Sequence, residues 1–468
     1  MFVLQIKYLS FFFIIISILS FFNIIYSYYL NLYLNLNTYY LSLIVSLLIS
    51  ILFYKIKAPL IKLTIFNKIL TVLLGYILIP LILSIPFYFS IYNLTFLNSY
   101  FEAISGFTST GFSIFDNIKY IDQSLIIWRS STQWIGGLYF LYSIIFLIDI
   151  YDESFKKTLT NFISFDSSEV FKQAIKIFLL YSSLTLLIFI ILNTISIRSF
   201  NSLNLALTII SSGGFLPIND LSVIVKNNTQ IIVISFLMLI SFFSIFFYYN
   251  VLFIRKKNIN FFYEDLHLII YLVVINFIFF LFFSFNDQFL MNFFSLASSV
   301  SNIGFSIDNY NKNLSFIFLI LVIIGGSFFS TSSGLRFIKV YSLFKYSLNQ
   351  ILSFSKPKNI FMNKLMFSKI NFNSNEINKY FLSIMIFIMA LLILSSILSF
   401  SGIAFESSFK LAILTLMNTV NSSIYDLAEF NFDELHYIVK YFLIIFMIIG
   451  RIELLTILLL MKKFLFKN

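Results

Sequence analysis

The chain has no cysteine, which excludes disulfides, thiolate metal sites and cysteine nucleophiles together. Histidine is almost as scarce. Only His267 and His436 occur, far apart in sequence, so neither a histidine metal site nor a proton relay is available, and no role is assigned to either. Charged residues make up 11% of the 468 positions. There is no Walker-type phosphate loop, metal-ligand cluster or nucleophile–base pair. The chain is therefore expected not to be an enzyme and to need no cofactor.

What is present is mostly hydrocarbon: 60% of residues are hydrophobic and the mean hydropathy is +0.95. A soluble domain of this length could not hide so much apolar surface, so lipid is the expected solvent. Ten spanning segments are expected, at 8–30, 39–54, 69–92, 124–147, 177–197, 231–254, 266–285, 314–344 (interrupted), 380–400 and 437–461. The first is longer than a signal-peptide core and lacks a small-residue cleavage site, so it reads as a helix.

The net charge of +11 does not point to nucleic acid. With the N-terminus inside, 23 of the 31 Lys and Arg fall in inward segments. The outward loops hold only Lys119, Arg198, Lys226, Lys312 and Lys410. That asymmetry is the positive-inside pattern and sets the expected orientation.

After two N-terminal helices (1–60), one unit recurs four times, over 61–165, 166–258, 259–365 and 366–468. Each unit runs spanning helix, short apolar segment, small polar turn, spanning helix. The short segments, 95–107, 202–210, 289–299 and 408–417, reach only about half-way through a bilayer at roughly 1.5 Å per residue. Asn93, Asn201, Asp287 and Ser407 stand near their starts as candidate caps. The turns read TSTGF (108–112), SSGGF (211–215), SNIGF (301–305) and NTVNS (418–422). An acid follows each: Asp116, Asp220, Asp308 and Asp426, all expected on the outer side.

Irregular backbone at membrane depth survives only where protein buries it or where it lines a watery path. Short interrupted segments at matching places in repeats mark transport sites. A dehydrated alkali cation needs several oxygen dipoles, and carbonyls from four loops supply them. Glycine permits the backbone angles that align those carbonyls, and each half-helix turns its negative C-terminal end toward the path. The expected filter is Thr108, Ser109, Thr110 and Gly111; Ser211, Ser212, Gly213 and Gly214; Ser301, Asn302, Ile303 and Gly304; Asn418, Thr419, Val420 and Asn421.

These residues carry a family resemblance. FEAISGFTSTGFS (101–113), WRSSTQWIGGL (128–138), IIGGSFFSTSSGLRFIKV (323–340) and GRIELLTILLL (450–460) resemble the Trk/Ktr/HKT superfamily of potassium transporters. The two extra N-terminal helices favour its TrkH-type pore subunit. The resemblance covers essentially the whole chain. It implies an all-α polytopic membrane protein with four pseudo-symmetric helix–pore-helix–helix repeats around one central pore. It also implies K⁺ uptake at a bacterial inner membrane, a homodimer, and a cytosolic TrkA-type nucleotide-binding partner. It assigns a gate to Arg451 and to an intramembrane loop containing Gly325, Gly326, Ser330, Thr331 and Gly334.

The chain departs from the family in two places. In the fourth turn Asn421 is read at the expected glycine, which leaves open a Na⁺-permeable or weakly selective relative. In the interrupted helix Phe328, Phe329, Ser332 and Ser333 dilute the small-residue run. A membrane-embedded enzyme and a non-conducting subunit are the rivals of another kind. Among other charged residues, Arg451 either pairs structurally, with carbonyls or Glu453, or gates; Arg129 reads as structural. Glu102 either concentrates cations or caps and pairs. The stretch 336–379, with eight basic residues, reads as a solvated cytoplasmic loop and docking surface.

Overall fold

A computed structural model describes residues 7–56, 64–147, 170–248, 262–283, 289–307, 314–354, 374–428 and 430–452. Asp287, Asp308 and Glu453 lie outside them. The described chain is almost wholly helical, as expected from its composition. Helices α1 (Lys7–Tyr29) and α2 (Leu36–Lys55) form an antiparallel hairpin. Helix α3 (Ile65–Leu83), continued by the turn Ile85–Tyr88, opens the first repeat.

The four short segments are each a helix of twelve residues: α4 (Phe96–Phe107), α7 (Ser199–Ile210), α10 (Phe289–Val300) and α14 (Phe405–Leu416). The helices that follow or precede them are α5 (Gln123–Phe146), α6 (Val170–Thr194), α8 (Asn228–Met238), α9 (Phe262–Phe283), α11 (Ser315–Ile323), α12 (Phe337–Ser353), α13 (Ser374–Phe400) and α15 (Tyr437–Ile452).

The three expected caps among the described residues are not the caps. Thr95 caps α4, its hydroxyl accepting from the Asn98 N–H at 3.3 Å, while Asn93 sits before it with φ 51°. Asn201 and Ser407 lie inside α7 and α14, which each begin three residues earlier than those candidates predict.

Six helices among the described residues are long and apolar enough to cross a membrane. Of the remaining expected spans, 124–147 is a continuous 24-residue helix whose residues are all buried except Gln123. Protein, not lipid, surrounds it, which is why it can hold Arg129, Gln133 and several hydroxyls. The expected span 231–254 does not run through. Helix α8 ends at Met238, passes into a tight 3₁₀ turn (Leu239–Ser241), and its freed carbonyls are taken by another loop: Ser241 O accepts from Ser332 N–H and Phe242 O from Ser327 N–H.

The repeats close into a ring. The second long helix of each repeat packs on the half-helix of the next: α5 on α7, α8 on α10, α11 on α14, and α15 back on α4. Backbones meet closely where this ring turns. A Cβ on Gly136 of α5 would lie 1.9 Å from the Phe107 carbonyl oxygen, and one on Gly450 of α15 would lie 2.3 Å from that of Leu416. In both cases a glycine admits the last carbonyl of its own repeat's half-helix. Outside the ring, α1 docks on α5 through aromatic rings, Tyr8 stacking on Phe146 at 5.0 Å and Phe12 meeting Tyr139 edge-on at 4.8 Å.

Candidate functional site

Each half-helix ends in the same turn. Thr110, Gly213, Ile303 and Thr419 N–H groups donate to the carbonyls five residues earlier, of Ser105, Thr208, Ser298 and Leu414. One position before, Ser109, Ser212, Asn302 and Asn418 all adopt left-handed backbone, with φ between 47° and 59°. Serine and asparagine carry this conformation because a short polar side chain can bond locally. The two asparagines bond across elements instead: Asn302 Nδ2 donates to Val322 O at 2.8 Å and Asn418 Nδ2 to Met447 O at 2.9 Å, stapling turns three and four to α11 and α15.

This register corrects the reading of the fourth turn. The residue equivalent to Gly111, Gly214 and Gly304 is Val420, not Asn421. Asn421 sits one place later, and its amide donates to the Leu427 carbonyl at 3.1 Å within the outer loop. The sequence hid this because Asn421 looked like a glycine substitute. The true left-handed residue of that turn is Asn418, two places before Val420.

The four equivalent positions also differ in backbone. Gly111 and Gly304 have φ of +81° and +80°; Gly214 and Val420 are not among the positive-φ residues. In the first and third turns a serine hydroxyl holds the next carbonyl: Ser105 Oγ donates to Phe112 O at 2.6 Å and Ser298 Oγ to Phe305 O at 2.8 Å. Thr208, at that place in the second repeat, bonds its own helix instead, and Leu414 in the fourth has no hydroxyl to give. The fourfold repeat thus reduces to a twofold alternation. A β-branched side chain is conformationally allowed at 420 and not at 111 or 304.

On one side the turns open into a vestibule of about 510 Å³, whose lining includes Gly111, Gly214, Gly304, Val420, Asp116 and Asp220. Asp116 and Asp220 are exposed at its rim, where their charge attracts cations. Asp426 lies against Lys410 at 3.4 Å. Glu102 is a pairing residue. It is fully buried, its carboxylate accepting from Arg129 Nε at 2.8 Å and from the Ile114 N–H at 2.8 Å. Arg129 also donates to Ser113 Oγ and lies 4.3 Å from the Phe215 ring centre, tying the first turn to the second. Removing one partner of such a pair leaves a buried charge and costs about 3–5 kcal/mol. Glu102→Ala should therefore lower the melting temperature in detergent sharply, with Glu102→Gln/Arg129→Met recovering much of it. A melting temperature unchanged in Glu102→Ala would show that the pair does not hold the turn.

On the other side lies the loop 326–334, closed at its neck by a two-residue parallel pairing, β1 (Ile324–Gly325) with β2 (Leu335–Arg336). It bonds to the second, third and fourth repeats, and Arg451 links it to the first. Thr331 Oγ1 donates to Ile210 O at 2.7 Å, and Ser332 Oγ to Asn302 Oδ1 at 2.9 Å. Arg451, buried on α15, donates to Ser333 Oγ and to Ser109 Oγ of the first turn, with Phe140 4.0 Å beneath its guanidinium. Gly334 has φ of +81°, and a Cβ on Gly325 would lie 2.1 Å from the Ser333 carbonyl oxygen, so the neck requires both glycines. Gly326 and Ser330 are buried in the same loop.

Two supports were not legible in the sequence. Arg336, expected in a solvated loop, is buried inside the intramembrane one, where it donates to the carbonyls of Ser327 and Ser332 at 3.1 and 3.0 Å. Glu264, at the start of α9, accepts from Phe328 N–H at 2.9 Å, while its neighbour Asp265 accepts from Ser244 N–H at 3.1 Å. The only hint was two acids ending an otherwise basic segment. Phe328 and Phe329, read as dilution, are buried anchors, Phe329 meeting Phe246 edge-on at 5.3 Å.

This ring of half-helices is a known architecture. The chain superposes on the crystal structure of the potassium transporter TrkH from Vibrio parahaemolyticus with a TM-score of 0.82, covering 97% of this chain and 98% of that one at 17% identity. In sequence it is 24% identical to the Trk system potassium uptake protein TrkH of Salmonella typhimurium over 81% of each chain. The chain has the TrkH fold. It is also 25% identical to the uncharacterized cation transporter MJ1485 of Methanocaldococcus jannaschii, over 61% of this chain and 60% of that one. No family model matches the sequence. The two outer helices α1 and α2 lie beside the ring.

Proposed function

We propose that this chain is the membrane-spanning subunit of a Trk-type potassium uptake system of a bacterial inner membrane. The observation that carries it is the convergence of four turns of one hydrogen-bond register, between an acid-rimmed vestibule and a loop held by Arg451. Carbonyls of residues 108–111, 211–214, 301–304 and 417–420 replace the ion's hydration shell. The half-helices aim their C-terminal ends at the same place and favour a cation there. Arg451 and the loop with Gly325, Gly326, Ser330, Thr331 and Gly334 form the gate below.

A homodimer, with a cytosolic TrkA-type nucleotide-binding partner bound at the basic inner face, completes the system. Lipid covers the exposed apolar residues of α2, α9 and α13. Val420 at a glycine position favours a second reading, a weakly selective or Na⁺-permeable cation pathway.

A bacterium lacking its own K⁺ uptake, given this gene together with a TrkA-type partner, should regain growth on low K⁺. Rescue by Na⁺ influx without K⁺ accumulation would favour the second reading. Protein present in the membrane with no cation entering would defeat both.

A further inference from the structure

We infer that Val420 is the rate-setting residue of the pathway, an apolar constriction placed at the level of the three filter glycines. The inference rests on the filter reading above and asks what the fourth turn does to it. A Cβ built on Gly111 would lie 3.0 Å from Val420 Cβ and Cγ2; one on Gly214 would lie 2.4 Å from Val420 Cβ; one on Gly304 would lie 2.7 Å from Val420 Cγ1. Real side chains do not approach as closely as at Gly214 and Gly304, and rarely as closely as at Gly111. The space that three glycines leave vacant is therefore one space, and one isopropyl group fills it.

The ring order makes this decisive. Repeats two and four face each other across the axis, since α5 packs on α7 and α11 on α14. A fourth-repeat side chain reaching Gly214 must cross the centre. Val420 is half-buried and forms part of the vestibule floor with all three glycines, so it meets an entering ion directly. Its methyl groups offer no oxygen and occupy the space between the turns, so an ion at this level must displace them before the surrounding carbonyls can replace its hydration. Hydrophobic constrictions of this sort restrict conduction by dewetting. The backbone permits the residue, because position 420 does not need positive φ, whereas the equivalent positions 111 and 304 do.

Conduction thus requires Val420 to move, by rotation of χ1 or by a shift of the 417–422 turn. Helix α15 holds that turn through Met447 O and Asn418, so motion of α15 is coupled to the constriction.

The test is tracer rubidium influx into proteoliposomes holding the full chain as wild type, Val420→Ala and Val420→Gly, normalised to folded protein by thermal melting. Influx should rise in the order Val, Ala, Gly, by about tenfold or more across the series. The alanine variant serves if glycine loosens the turn. Equal, non-zero influx in all three folded proteins would overturn the inference while leaving the filter reading intact. No monovalent cation influx in any of them would defeat the filter reading, and this inference with it.

Discussion

Gly304→Ala and Gly111→Ala should each cut K⁺ influx by about tenfold or more, in the wild type and in a Val420→Gly background alike. Gly214→Ala should do so only when Val420 is present. The three glycines face the same isopropyl group, but for different reasons. At 304 the backbone has φ of +80°, and a Cβ would also stand 2.8 Å from the Val420 carbonyl oxygen. An L-residue there costs roughly 1–2 kcal/mol in conformation alone. Relief comes by rotating the peptide, which turns a filter carbonyl away from the ion. Deleting the valine side chain leaves that oxygen and that φ in place. At 214 the backbone is ordinary, and the two nearest atoms are Val420 Cβ and Cγ1, which the glycine variant removes. The Ile303 oxygen at 3.0 Å remains as a tight neighbour, so recovery should be large but incomplete. Influx assays on the three alanine variants in both backgrounds check this. Full recovery of Gly304→Ala in the Val420→Gly background would mean that crowding, not backbone conformation, is the reason for glycine there.

Arg451→Ala should raise basal cation influx about tenfold and weaken its dependence on the cytosolic partner. A cation moving inward gains about 2.3 kcal/mol per 100 mV of membrane potential. A fixed positive charge about 7 Å away opposes it by roughly 2.4 kcal/mol at an effective dielectric of about 20. The two terms are of one size, so a single guanidinium can cancel the drive. Arg451 is placed for this: it bridges Ser109 of the first turn and Ser333 of the loop, with its plane on Phe140. Removing it deletes the charge and frees the loop at one of its holds. Lysine keeps the charge but not the planar multi-donor grip, so Arg451→Lys should fall between.

On the proposed reading, Val420 and Arg451 act in series along one path. The effect of Arg451→Ala should therefore be larger in the Val420→Gly background, where the upper barrier is gone. Tracer influx in the four combinations, with and without the partner, is the measurement. Flux and regulation unchanged by Arg451→Ala in both backgrounds would return the residue to a packing role.

The sequence by itself determined the solvent, the four repeats and the place of each turn. Those are properties of local pattern: long apolar runs need lipid, segments too short to cross must turn back, and Gly, Ser and Asn mark where. The pairing of Arg451 with the loop of residues 325–334 came from the family resemblance, and the sequence left its partners open between carbonyls and Glu453; the structure has it donate to the hydroxyls of Ser333 and Ser109. Which residue of the fourth turn faces the axis was decided only by the tertiary structure. A turn's register follows from its hydrogen bonds, and one residue of displacement exchanges Asn421, bonded away to Leu427 O, for Val420 at the centre. The same holds for Glu102 with Arg129, twenty-seven residues apart, and for Glu264 with Phe328, sixty-four apart. Such pairs satisfy buried charge across elements, and no periodicity along the chain records which distant group will be there to meet it.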